Sequence, residues 1–126
     1  MNDADLLAAA LAARERAYAP YSQFAVGAAL ECDDGTIVTG CNVENASYGL
    51  TMCAERTALF AAVASGHTLF RAIAVAGPPG VTTPPCGACR QVLAEFGRDL
   101  RVIYTTFAGL AETTVDALLP VTFVLP

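Results

Sequence analysis

The 126 residues contain no lysine, a single histidine, and no apolar run approaching the length of a membrane span. Each scarcity excludes something. With seven arginines, none clustered, and a net charge of −5, there is no electrostatic footprint for a phosphate backbone, so nucleic acid is not an expected partner. A free small molecule is the better substrate class. Without about 20 consecutive apolar residues the chain has no candidate membrane helix. The start Met1-Asn2-Asp3-Ala4-Asp5 is acidic where a secretory leader would be basic, which points to a cytoplasmic protein. The one histidine, His67, follows Gly66 at a helix end and is read as a surface residue. No histidine therefore stands near a candidate thiol nucleophile, which disfavours a cysteine-nucleophile enzyme.

What the chain has in plenty is apolar surface: 55% hydrophobic residues and a mean hydropathy of +0.49. Residues 1–126 fit one domain, and a core this small cannot absorb all of that surface, so part of it is expected between subunits. The pattern along the chain predicts a helix over Asp3–Tyr18, stopped by Pro20, then strands over Phe24–Cys32 and Thr36–Asn42. A loop from Val43 to Thr51 leads to a helix over Cys53–Ser65, ended by Gly66. A buried strand over Leu69–Ala76, a Gly/Pro-rich loop over Gly77–Pro85 and a helix over Cys86–Phe96 follow. A strand over Leu100–Thr106 and a short helix over Val115–Leu119 complete the series. The order αββαβαβ argues a three-layer α/β/α sandwich on a mixed sheet.

Five cysteines are present. A tight Asp34-Gly35 hairpin would set Cys32 opposite Ile37 and Cys41 opposite Ala28, so these two are read as unpaired, buried and small. The other three carry the chemistry. Cys53-Ala54-Glu55-Arg56 and Pro84-Pro85-Cys86-Gly87-Ala88-Cys89 offer three thiolates and a carboxylate. Three soft ligands leave tetrahedral zinc one open position, whereas a structural zinc normally has four protein ligands. Glu55, two residues from Cys53, is placed to carry protons for an attacking water. Cys53 and Cys86 each begin a predicted helix, where free N–H donors and the dipole stabilise a thiolate. Three thiolates on Zn²⁺ leave a net −1, and Arg56 is positioned to offset it by charge-assisted hydrogen bonds.

This spacing resembles the zinc nucleoside deaminases, whose signature is a ligand two before a Glu, followed by Pro-Cys-x-x-Cys. Tyr21-Ser22-Gln23-Phe24-Ala25-Val26-Gly27, Asn42-Val43-Glu44-Asn45-Ala46-Ser47-Tyr48-Gly49 and Cys86-Gly87-Ala88-Cys89-Arg90-Gln91 extend the resemblance to the small homotetrameric cytidine deaminases, over nearly the whole chain. It implies a mixed five-stranded sheet, although the residue pattern itself marks only four strands. It implies one Zn²⁺ per chain on Cys53, Cys86 and Cys89, with Glu55 catalytic and Arg56 beside the thiolates. It also implies hydrolysis of cytidine and 2′-deoxycytidine to the uridines and ammonia, in pyrimidine salvage.

By the same resemblance Phe24 is a platform for the pyrimidine, Ala54 is among the substrate-binding residues, and Asn42 and Glu44 bind the ribose 3′-hydroxyl. Tyr48 and Phe123 reach a neighbouring subunit's pocket, making a homotetramer with composite sites. Arg90 and Gln91 match the motif without an assigned role. Two other readings compete: a deaminase of this fold for another aminopyrimidine nucleoside, such as blasticidin S, and a non-catalytic zinc-stabilised module. Asn42-Val43-Glu44-Asn45 favours a plain ribose over the first, and Glu55 disfavours the second, because a structural site has no need of it.

Overall fold

An N-cap decides where the first helix begins. In the computed structural model, which describes residues 2–126, the Asn2 side chain accepts the Asp5 amide at 2.9 Å and α1 runs Asp3–Arg14. It does not reach Tyr18 as the pattern predicts. Residues 15–17 tighten into i→i−3 turns, and the Tyr18 amide donates to the Asn42 carbonyl at 3.0 Å. Glu44 N–H in turn donates to the Tyr18 carbonyl at 2.8 Å. This non-local pairing replaces the last helical turn and brings the Asn42–Glu44 segment against residues 18–22.

β1 (Gly27–Cys32) and β2 (Ile37–Cys41) form the expected hairpin, with a register one residue from the expected one. Cys41 lies opposite Gly27 and Ile37 opposite Glu31. The turn holds three residues, Asp33-Asp34-Gly35, because Gly35 takes a left-handed φ of 88° and the Cys32 amide donates to Thr36. Cys32 and Cys41 are unpaired as read, but only Cys32 is fully buried, since Cys41 sits half-exposed near the sheet edge. His67, expected on the surface, is half-buried beside this turn.

The remaining elements are α2 (Ala54–Ala64), β3 (Phe70–Ala76), α3 (Gly87–Phe96), β4 (Arg101–Thr106), β5 (Gly109–Thr114) and α4 (Val115–Leu118). The strand order is β2-β1-β3-β4-β5; β3 and β4 are parallel and every other pair antiparallel, which makes the sheet mixed. The pattern reading misses β5, because Gly109-Leu-Ala-Glu-Thr-Thr is a partly exposed edge strand with a weak apolar alternation.

The layers follow from which side chains alternate inward. Leu6 and Ala10 of α1 pack on Ala29, Ala72, Ala74, Ala76 and Ile103. On the other face Ala58, Leu59 and Ala62 of α2 and Leu93 of α3 bury Ala28, Leu30, Ile73, Val75 and Val102. Two glycines set how close the helices come. A Cβ on Gly27 would lie 2.0 Å from the Ala10 carbonyl oxygen of α1, and one on Gly40 would lie 2.4 Å from the Ala58 nitrogen of α2. Backbone cannot yield at such distances without moving a helix. Gly40→Ala should therefore cost at least about 2 kcal/mol of unfolding free energy in urea denaturation, by overpacking. Unchanged stability would show that α2 does not rest on β2 as described.

Candidate active site

The first helical hydrogen bonds of α2 and α3 are accepted by the carbonyls of Cys53 and Cys86, which makes these residues the two N-caps, both in extended conformation. N-cap side chains ordinarily bond their own helix. Neither sulfur does so here. Cys53 Sγ lies 3.6 Å from Cys86 Sγ, and Cys89, in the first turn of α3, brings a third sulfur so that all three lie within 4.8 Å of one another. A tetrahedral ion with metal–sulfur bonds of about 2.3 Å holds its sulfurs about 3.8 Å apart. The donor set fits zinc in number, softness and spacing, and leaves one coordination position unfilled by these thiols.

Electrostatics prepare the site for thiolates. Arg56 Nη2 donates to Cys53 Sγ at 3.3 Å. Hydrogen bonding from Cys89, and then from Arg56 and Cys86, outweighs burial and pulls the Cys53 thiol down to about 5. Cys89, hydrogen-bonded to Cys53 and buried, is pushed up. Without a metal Cys53 thus ionises before Cys89, and a cation at the cluster would offset the cost of ionising Cys89.

Glu55 occupies the second position of α2 and is 4% exposed. Burial pushes its carboxyl up to about 7, with the Cys53 charge adding to the rise. It lines a cavity of about 340 Å³ together with Cys53, Cys86, Ala54, Phe24, Asn42 and Glu44. Six of the sequence-derived candidates and Glu55 therefore meet in one pocket, with Cys53 and Cys86 in its lining and Cys89 buried behind them in the cluster. Ser22, Val26, Thr51, Thr83 and Pro84 complete the wall; pattern reasoning left these unassigned.

Asn42 and Glu44 do more than face the cavity. Asn42 Oδ1 accepts the Val26 amide at 2.9 Å and its Nδ2 donates to the Phe24 carbonyl at 2.7 Å, so one amide hydrogen remains for a ligand. Glu44 accepts the Tyr21 and Ser22 amides at 2.9 and 3.1 Å, and the Ser22 hydroxyl on its other oxygen. Those hydrogen bonds, the Ser22 hydroxyl first, hold its carboxyl below the usual range. Both residues brace the segment that presents Phe24. Tyr48 and Phe123 stand apart from this pocket, 74% and 71% exposed, Tyr48 meeting Tyr21 edge-on with centroids 5.8 Å apart.

A model of the cytidine and deoxycytidylate deaminase zinc-binding region matches residues 1–106. The chain belongs to that family. It is 50% identical over 125 residues to a cytidine deaminase of Sporosarcina psychrophila, covering 98% of this chain and 92% of that one. A solved cytidine deaminase from Burkholderia pseudomallei superposes with a TM-score of 0.93 at 54% identity, covering 98% and 100% of the two chains. The blasticidin-S deaminase of Bacillus cereus is more distant, at 28% identity over 106 residues, covering 78% and 76%.

Arg90 and Gln91 acquire roles that only the fold reveals. Arg90 Nε donates to the Pro85 carbonyl at 2.7 Å and Nη1 to the Leu118 carbonyl at 3.0 Å, tying the residue before Cys86 to the end of α4. Gln91 Nε2 donates to the Phe123 carbonyl at 3.2 Å and anchors the C-terminal tail. Metal analysis should find zinc lost from Cys86→Ala and Cys89→Ala. Arg90→Ala should bind zinc but release it to a chelator about tenfold faster or more, in the range seen when groups supporting ligands are removed. Wild-type release from Arg90→Ala would show that the clamp does not support Cys86.

Proposed function

We propose that this chain, acting over residues 1–126 as one catalytic domain, hydrolyses cytidine and 2′-deoxycytidine to uridine and 2′-deoxyuridine with release of ammonia. The observation that carries the reading is a buried carboxylate, Glu55, in the same pocket as Cys53 and Cys86 of a three-thiol cluster, a donor set that would leave a tetrahedral ion one open position. Identity of 50 to 54% to cytidine deaminases, against 28% to a blasticidin-S deaminase, supports the plain nucleoside as substrate.

Cys53, Cys86 and Cys89 hold one zinc per chain. When bound, zinc supplies the Lewis acidity that makes water nucleophilic near neutral pH. Glu55 accepts the proton of the attacking water and delivers one to N3 of the pyrimidine as oxygen bonds to C4. It then takes the proton of the new C4 hydroxyl and passes it to the amino nitrogen as the C4–N bond breaks and the C4 carbonyl forms, so water and cytidine leave as uridine and ammonia. Phe24 and Ala54 pack on the base, while the remaining hydrogen of Asn42 and the remaining acceptor capacity of Glu44 read the sugar hydroxyl. Arg56 offsets the charge of the thiolates. Free thiols as ligands suit a reducing, cytoplasmic setting in pyrimidine salvage. Among the described residues no helix is long and apolar enough to cross a membrane.

Glu55→Gln should keep its zinc and lose cytidine turnover by about 10²- to 10⁴-fold, followed as the ultraviolet change of cytidine to uridine. Turnover near wild type in that variant would remove Glu55 from the mechanism.

The working unit on this reading is a homotetramer. Tyr48, Leu50, Phe107, Val121, Phe123, Val124 and Leu125 are each more than half exposed, large apolar side chains of the kind that burial between subunits would take out of water. Tyr48 and Phe123 complete a neighbour's pocket, giving four composite sites. Light scattering should return about four chains per particle, and Phe123→Asp should dissociate it and abolish activity with zinc retained. A fully active monomer would refute the composite site.

A further inference from the structure

The single histidine meets a buried thiol and a carboxylate at the end of the molecule remote from the catalytic pocket. Cys32 Sγ, a carboxylate oxygen of Asp34 and a ring nitrogen of His67 all lie within 4.8 Å of one another. Three separate segments supply them: the end of β1, the β1–β2 turn, and the connection from α2 to β3. We propose that Cys32, Asp34 and His67 form a second site for a borderline divalent transition ion of the zinc, cobalt or nickel class.

Four observations carry this. The donor set of one thiol, one imidazole and one carboxylate is that of a transition-metal site, and it leaves room for water as a fourth ligand. The His67 Nδ1–Asp34 Oδ2 distance of 3.8 Å is too long for a hydrogen bond and lies within about 0.5 Å of the roughly 3.4 Å that bonds of about 2.1 Å set between an imidazole and a carboxylate ligand of one tetrahedral ion, so a small inward movement of the two side chains would close it. Asp34 Oδ1 is committed to the Thr36 amide at 2.9 Å, which holds the carboxylate in place while Oδ2 faces His67. The potential favours a cation: Asp33 and Glu31 flank the cluster, and the α2 C-terminus, where the His67 amide donates to the Ala62 carbonyl, points toward it. Arg71, which donates to the Asp33 carbonyl and approaches Glu31 at 3.8 Å, is an opposing charge nearby.

The site is independent of the catalytic one. Cys53 caps the start of α2 and His67 follows its end, and 11 helical residues at about 1.5 Å each separate them by about 17 Å. A bound ion would pin the β1–β2 turn to the end of α2, stabilising the fold without entering the reaction.

Protein carrying its catalytic zinc is titrated with Co²⁺ alone, following thiolate-to-cobalt charge transfer and visible absorption, with released zinc measured in parallel. The expected result is uptake of one Co²⁺ per chain without zinc release, and a rise in Tm. His67→Ala and Asp34→Asn should each weaken that uptake about tenfold or more and abolish the rise in Tm, with cytidine turnover unchanged. Both substitutions are away from the core, so they keep the fold where Cys32→Ser risks it. No uptake, uptake matched by zinc release, or uptake equal in His67→Ala would overturn the proposal.

Discussion

Three sulfurs must reach one point in space, and the architecture can be understood as the means of bringing them there. Thiolates repel one another, so they share a point only where positive potential gathers them. The starts of α2 and α3 provide it, with Arg56 against Cys53 and a metal ion as the remaining charge. Each helix start is in turn set by the sheet. Gly40 lets α2 lie directly on β2, and the parallel pairing of β3 with β4 requires a crossover, which α3 supplies. The Pro85 carbonyl, clamped by Arg90 to the end of α4, fixes the approach to Cys86.

The pocket above the thiols is preorganised by hydrogen bonds that belong to the protein rather than to a ligand. Asn42 and Glu44 use most of their polar capacity on residues 21–26. A nucleoside would find these groups already oriented and need meet only the remaining lone pair and hydrogen, which limits the ordering cost of binding. The same bonds tie the positions of Asn42 and Glu44 to that of Phe24.

α2 links two chemically different ends. Its start carries Cys53, Glu55 and Arg56; beyond its end His67 faces Cys32 and Asp34. Dipole direction matches each, because thiolates belong at the positive end and a cation at the negative one. The apolar tail after α4, held at Phe123 by Gln91, lies outside the core and accounts for much of the hydropathy that one small domain cannot bury.

Local chemistry was legible before any fold was known. Cys53, Glu55, Cys86 and Cys89 declare a zinc site by residue type and spacing, and Gly66 and the Gly77–Pro85 loop mark where helices and strands must break, because these are properties of neighbours along the chain. The α/β order and the surplus of apolar surface were legible for the same reason. What depended on distant segments was not. α1 ends at Arg14 because Tyr18 finds a partner at Asn42, and β5 exists because β4 offers it an edge. The β1–β2 register turns on one left-handed φ at Gly35. Arg90, Gln91 and Ser22 belonged to motifs but had no role until the fold set carbonyls and a carboxylate before them. His67 looked like a surface residue until the hairpin brought Cys32 and Asp34 to it. Spacing determined which ligands the chain could offer; only tertiary packing decided which of them meet, since hydrogen bonds and metal contacts act over a few ångströms in space and take no account of separation in sequence.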